Sequence, residues 1–221
     1  EFRRVLFRSP FAAGGGTDIS ARTMAQFLER ELGQPVVVQN RPGAGGEIGL
    51  SAIADARPDG YTMLMTTISA SAVVPPLMNP PPFDIYRDQV AVVHAATVPL
   101  VAVVPPNAPS ATMRDLIERA RREPGVLNYS SSGVATQQHL AAELLSSAAG
   151  VRMTHVPFRG TGQAVNEILA GRIDLAIDTL PTYLPHIRAG RVRALAVTLP
   201  QRVILVDDIW TSGATFEAAV D

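Results

Sequence analysis

The sequence predicts an α/β protein with mainly parallel sheets and helices on both faces. Three observations carry this. Apolar strand-like runs alternate with helix-period segments along most of the 221 residues. The junctions between them are rich in glycine, serine and proline, which punctuate strand-to-helix turns. Apolar residues make up 47% of the chain and charged residues 18%, a composition that folds around a core rather than staying disordered. Repeated β-α-β alternation favours parallel pairing, because each crossover helix packs back onto the sheet it left.

Each element has a local reason. Ile19, Thr23, Met24, Phe27, Leu28 and Leu32 fall on one helical face, with Thr17 or Asp18 as N-cap and Gly33 as terminator. Val36, Val37 and Val38 read as a short buried strand. The turn Arg41-Pro42-Gly43-Ala44-Gly45-Gly46 leads into a second helix near Ile48. Asp59-Gly60 is a turn, and residues 61–66 alternate like a strand. Residues 73–83 are proline-rich and read as an irregular connection. Residues 90–104 are mostly apolar but fall short of the roughly 18 residues a membrane span needs, so they read as two strands around Pro99. Thr112 and Asp115 have capping-box spacing and open a helix carrying Met113, Leu116, Ile117 and Ala120. Residues 126–129 form a strand, and Ser130-Ser131-Ser132-Gly133 a loop. A helix with Leu140, Ala141, Leu144, Leu145 and Ala148 follows and ends at Gly150. The remainder reads as strand 153–156, helix 165–169, strand 173–177, helix 184–187 and strand 194–197.

Composition excludes several function classes. The net charge is −1 with no basic block, which argues against nucleic acid as a partner. The chain has no cysteine, so disulfides, thiolate catalysis and zinc–thiolate sites are excluded. His94, His139, His155 and His186 lack metal-ligand spacing, so no metal is expected. No serine sits in a Gly-x-Ser-x-Gly elbow, and no catalytic residue is assigned. The run Gly43-Ala44-Gly45-Gly46-Glu47-Ile48-Gly49 places its last glycine one position late for a dinucleotide fingerprint and follows the wrong strand. No cofactor is expected. Residues 1–9 have too short an apolar centre for a signal peptide, so export would need a signal outside this chain.

Two segments suit anion binding. Phe11-Ala12-Ala13-Gly14-Gly15-Gly16-Thr17-Asp18 joins a strand to a helix. Its glycines allow close backbone approach, and the helix start offers free N–H groups. Phe11, Ala12, Gly15, Gly16, Thr17 and Asp18 are the candidate binding residues. Asp18 is expected to cap its helix and orient the loop, since its charge would repel an anion. The stretch around Ser131, Ser132, Gly133 and Thr136 repeats the device, with Thr136 as a direct donor. Asp178 is expected at the carboxyl end of its strand, where α/β sheets place ligands. The bland alternatives are ordinary polar turns and turn-capping acids.

Residues 10–202 resemble the periplasmic solute-binding proteins of tripartite tricarboxylate transporters, the Bug family. The runs that carry the resemblance are residues 10–18; Leu32-Gly33-Gln34-Pro35-Val36-Val37-Val38; Asn40-Arg41-Pro42-Gly43-Ala44-Gly45-Gly46; Pro58-Asp59-Gly60-Tyr61-Thr62; Leu127-Asn128-Tyr129 with Ser132-Gly133; His155-Val156-Pro157-Phe158-Arg159-Gly160; Pro185-His186-Ile187-Arg188-Ala189-Gly190; and Arg193-Ala194-Leu195-Ala196-Val197-Thr198. The resemblance implies a two-lobed periplasmic-binding-protein fold of the Venus flytrap, type II kind, with residues 1–100 as first lobe and 101–202 as second. It implies a non-enzymatic, monomeric, periplasmic receptor that holds a small carboxylate and delivers it to the membrane subunits of the transporter.

Both ends depart from the pattern. Residues 1–9 read like translated adapter sequence, although Val5, Leu6 and Phe7 stand where the family's first strand would be. Residues 203–221 resemble the PRPP loop of phosphoribosyltransferases. Asp207 and Asp208 would meet ribose hydroxyls, and Thr211, Ser212, Gly213, Ala214 and Thr215 would cradle a phosphate. The expectation is a chimeric chain with an incomplete first lobe and a foreign tail. The rival readings are a phosphoribosyltransferase fragment and a non-functional fusion product.

Overall fold

The structure is a computed structural model that describes residues 4–81, 83–199 and 202–205. The chain divides into two compact units. The first comprises Glu1–Thr97 together with Ser132–Gln137 and Phe158–Gln163. The second comprises Val98–Ser131, Gln138–Pro157 and Ala164–Asp221.

The first unit is built from β1 (Val5–Ser9), α1 (Gly16–Leu32), β2 (Val36–Asn40), α2 (Glu47–Ala54) and β3 (Thr62–Leu64). Its sheet has the order β2-β1-β3 and is parallel throughout, with Val5 opposite Val36 and Leu6 opposite Thr62. Val5, Phe7 and Val36 pack with Ala25 of α1, while Phe11, Leu50 of α2, Ala70 and Phe83 form a second cluster.

Two expectations here are corrected. Helix α1 starts earlier than expected. Gly15 is its N-cap, so Thr17 and Asp18 lie inside the first turn. Its buried positions are Gly16, Asp18, Ala21 and Ala25, whereas Ile19, Phe27 and Leu32 are 37%, 57% and 51% exposed. Small side chains let the helix lie close on the sheet, and that pushes the larger ones to its flanks. Gly33 does end the helix, at φ 61° with its N–H on the Glu29 carbonyl. The second correction concerns residues 90–104, which yield one strand rather than two. Val90, Val92 and Val93 are exposed and belong to no strand of either sheet, because strand propensity without a partner strand does not make a ladder.

The second unit contains β4 (Leu100–Val104), α3 (Met113–Arg122), β5 (Asn128–Ser131), most of α4 (Gln137–Ala149), β6 (Thr154–Pro157), most of α5 (Thr161–Leu169), β7 (Leu175–Thr179), α6 (Leu180–Arg188), β8 (Arg193–Leu199) and β9 (Arg202–Leu205). The strand order is β6-β5-β7-β4-β8-β9. Strands β5, β6 and β7 are parallel, but β4 runs antiparallel to both β7 and β8, and β9 runs antiparallel to β8. The sheet is therefore mixed, which corrects the expectation of parallel pairing. Neither neighbour of β4 follows it directly in the chain, so no crossover helix fixes its direction. Leu100, Ala102, Leu127, Tyr129, Leu175, Ile177 and Leu195 form the core with Met113, Leu116 and Ala120 of α3 and Ala142 of α4. The capping box is present, with Asp115 N–H donating to Thr112 Oγ1 at 3.1 Å and Thr112 N–H to Asp115 Oδ2 at 2.8 Å. The candidate phosphate-loop residues Asp207, Asp208, Thr211, Ser212, Gly213, Ala214 and Thr215 lie outside the described residues.

Candidate functional site

Open α/β sheets hold ligands at the carboxyl ends of two neighbouring strands whose connections leave in opposite directions. In the first unit β1 lies between β2 and β3, and the chain visits β2 first. The reversal falls between β1 and β3. The segments leaving those strands are residues 10–15 and Thr66-Thr67. In the second unit β5 lies between β6 and β7, and the chain visits β6 first, so the reversal falls between β5 and β7.

The loop after β1 is held by a network around Asp18, which is 3% exposed. Its carboxylate accepts the Gly14 N–H at 2.9 Å, Arg22 Nε at 3.0 Å and Asn40 Nδ2 at 3.0 Å. Asn40 Nδ2 also donates to the Phe11 carbonyl at 3.0 Å. Burial pushes the Asp18 carboxyl up, but the bonds from Arg22, Gly14 and Asn40 outweigh it and hold the group below the ordinary aspartate value. Asp18 thus ties helix, loop and the end of β2 together. It does not cap the helix. No side chain bonds the N–H groups at the start of α1 from the N-cap position, and a helix start has no intrahelical acceptor for them. Gly15 and Gly16 are buried and Thr17 is half-buried. The Phe11 ring belongs to the apolar cluster with Leu50 and Ala70, so this residue offers the loop its backbone.

Residues 132–136 and the start of α5 belong to the same unit as this loop. Ser132, Gly133, Ala135 and Thr136 are buried. A Cβ on Gly133 would lie 3.2 Å from Gly45 Cα, so these two turns meet backbone to backbone. A Cβ on Gly162 would lie 2.2 Å from the Ala13 carbonyl oxygen, and one on Gly160 2.9 Å from Ala12 Cβ. Ala12 is therefore packed by Gly160. Thr136, fully buried, donates its hydroxyl to the Gly133 carbonyl at 2.6 Å. That hydrogen is committed within the loop, which corrects the expectation of a direct donor to a ligand.

A set of hydroxyls after β3 was not foreseen. Thr66 Oγ1 and Ser71 Oγ are 2.9 Å apart, Thr67 Oγ1 and Ser69 Oγ 3.1 Å. Ser69 and Ser71 are buried. Their signal in the sequence is the hydroxyl-rich run at 66–71, directly after a strand.

In the second unit Ser131 ends β5 and is not in a loop. Its Oγ is 2.6 Å from His155 Nε2. The His155 ring lies in a stack, 5.0 Å from Tyr129 and 4.1 Å from His139, centroid to centroid. Burial pulls the His155 imidazole below the ordinary histidine value, and the neighbouring His139 adds to this, against a weaker opposing pull from Glu143. Asp178 also lies within its strand, at 1% exposure. Its Oδ1 accepts Gln138 Nε2 at 2.9 Å and the Thr179 N–H at 2.6 Å. Among the described residues no group of three or more His, Asp or Glu is placed to hold a metal, and no helix is long and apolar enough to cross a membrane.

Two compact α/β units are the architecture of the two-lobed type II fold of the periplasmic binding proteins, and the solved structures that the chain resembles share it. The chain belongs to the tripartite tricarboxylate transporter family receptors, which it matches over residues 20–217. That family consists of receptors, not enzymes. The protein BugT of Bordetella pertussis is 40% identical over 194 residues, covering 87% of this chain and 60% of BugT. The structure of Rpa4515 of R. palustris with adipate is 34% identical with a TM-score of 0.82, covering 90% of this chain and 67% of that one. MatC of Rhodopseudomonas palustris with bound malate is 26% identical with a TM-score of 0.82, covering 90% and 68%. The chain spans about three fifths of the length of the curated relatives it matches, 58% and 60% for two of them. The match to residue 217 runs through the segment expected to be foreign, and neither the family nor the fold supports the phosphoribosyltransferase reading.

Proposed function

We propose that this chain is a periplasmic receptor that captures a small carboxylate and presents it, as a monomer, to the membrane subunits of a tripartite transporter. One observation carries the reading: the start of α1 is left without a side-chain cap, while the loop before it is locked by Asp18 and Asn40. Helix-start N–H groups without an intrahelical acceptor, beside a loop fixed in place, suit an anion, and the helix dipole adds to the attraction. The hydroxyls at 66–71 belong to the same compact unit and supply further polar groups. The adipate and malate complexes of R. palustris relatives support a carboxylate as the ligand class.

Calorimetric titration of the chain with mono- and dicarboxylates tests this. A small dicarboxylate should bind, and Gly15→Val should abolish binding while Gly15→Ala retains it. A Cβ at Gly15 would only touch Thr161 Cβ at 3.4 Å, but branching beyond it would fill the space at the helix start. A folded chain that binds no carboxylate, or whose affinity ignores Gly15→Val, sinks the reading.

A further inference from the structure

A cavity of about 330 Å³ lies within the first unit, with Arg4, Leu6, Arg8, Arg57, Asp59 and Tyr61 in its lining. Pockets of this volume hold small molecules. Arg4, Leu6 and Arg8 alternate along β1, so they share one face of the sheet. Val5 and Phe7 take the other face and pack with Ala25 of α1. Arg57 and Asp59 come from the turn between α2 and β3, and Tyr61 directly precedes β3. Strand β1 is the middle strand of its sheet, and inner strands of parallel sheets are normally apolar on both faces. Arginine at both ends of one face breaks that rule. Nor does the protein neutralise these charges. Among the described residues none of Arg4, Arg8 and Arg57 is in an ion pair. Arg8 is half-buried; its Nη1 donates to the neutral Ala52 carbonyl of α2, and its Nε has no hydrogen-bond partner. Cations held out of water are normally paired.

We propose that this cavity is a second anion site and takes a small phosphomonoester. Its lining carries three guanidinium groups and one carboxylate, Asp59. The excess positive charge matches a phosphomonoester, which is a dianion above about pH 6. A phosphate presents its terminal oxygens in different directions, so arginines on separate walls can each meet one. A carboxylate offers only two oxygens in one plane. Leu6 and Tyr61 add apolar surface for a carbon skeleton. No lining residue belongs to the 10–18 loop, so the site is separate from the carboxylate site and does not depend on that reading. Arg4 and Arg8 stand outside the residues that resemble the family, which makes the site a property of this chain.

Calorimetric titration of the full chain with inorganic phosphate and with glycerol 3-phosphate, at about pH 7.5, tests this. Glycerol 3-phosphate should bind, more tightly than inorganic phosphate, and a saturating dicarboxylate should not displace it. Arg57→Gln, on an exposed turn, should weaken it about tenfold, the loss expected for one charge-assisted bond. Arg30→Gln, an exposed arginine of α1 outside the lining, should leave it unchanged. Phosphatidylcholine vesicles containing phosphatidate present the same group as a lipid headgroup. Binding to them that Arg57→Gln removes, without binding of glycerol 3-phosphate, assigns the cavity to a lipid phosphate rather than a free one. Binding of neither form up to about 10 mM phosphate overturns the proposal. So does equal weakening by Arg57→Gln and Arg30→Gln, the mark of unspecific charge attraction. Displacement by a dicarboxylate shows one shared site and overturns it too. A chain that binds no carboxylate but keeps the response to Arg57→Gln removes the receptor reading and leaves this site standing.

Discussion

The turn after β1 and the turn after β5 have the same plan, a strand, a run of small residues and a helix, yet they are secured differently. The first is held from outside by a charged network: Asp18 accepts from Gly14, Arg22 and Asn40, and Asn40 reaches back to Phe11. The second is held from inside by a neutral bond, Thr136 to the Gly133 carbonyl, with Ala135 kept at φ 60°, where an alanine is strained. Charge-assisted bonds contribute about 1.5–3 kcal/mol and neutral ones about 1 kcal/mol. On these two sets of bonds, the first turn is expected to be the more rigid and the second the more adaptable.

The largest expected effect comes from closing the space between the first turn and its neighbour. Gly162→Ala would set a Cβ 2.2 Å from the Ala13 carbonyl oxygen, and backbone cannot step aside there. A loss of about 3 kcal/mol is expected, the upper range for overpacking. Gly15→Ala, with its nearest neighbour at 3.4 Å, should cost far less. Denaturant unfolding of the pair measures the difference, and equal midpoints would show that the turn is loosely packed.

Next come the two anchors themselves. Asp18→Asn should cost about 1.5–3 kcal/mol, since it weakens three bonds to a charged acceptor. Thr136→Val should cost about 1 kcal/mol, because it deletes one neutral bond within a buried turn. If Thr136→Val proves the more damaging, the assignment of rigid and adaptable turns is reversed.

Much of this was legible because it is local. Gly33 at the end of α1, the Thr112–Asp115 capping box and the glycine turn before α1 each announce themselves within four residues. What was not legible depends on partners far along the chain. Val90, Val92 and Val93 have strand character but no ladder to join. Ile19, Phe27 and Leu32 read as the buried face of α1 until the sheet selects Ala21 and Ala25 for close approach. The direction of β4 follows from where β7 and β8 return. At the site, the small-residue turns could be read from composition. The commitment of the Thr136 hydroxyl and of Ser131 could not, since their acceptors and neighbours are fixed only in the folded turn and by His155.

The smallest expected effect separates the two units by pH. In the second unit His155 and His186 both titrate below the ordinary histidine value, in each case chiefly through burial, with His139 and Arg191 respectively adding to it. The unfolded chain takes up protons at these positions from about pH 6.5 downward, before the folded state does. The stability they contribute is therefore complete above that value and is lost as pH falls through their folded values. In the first unit the comparable group is Asp18, also depressed, whose contribution is complete above the unfolded aspartate value of about 3.9 and is lost only below it. Between pH 7 and pH 5 the second unit should lose stability while the Asp18 network does not. Amide exchange, corrected for its intrinsic pH dependence, should show protection falling in β5, β6 and α6 but not in β1 and α1. Replacing His155 with Gln removes one of the two titrating groups and should shrink the change. Protection that falls equally in both units over this range would mean that these histidines do not set the acid response.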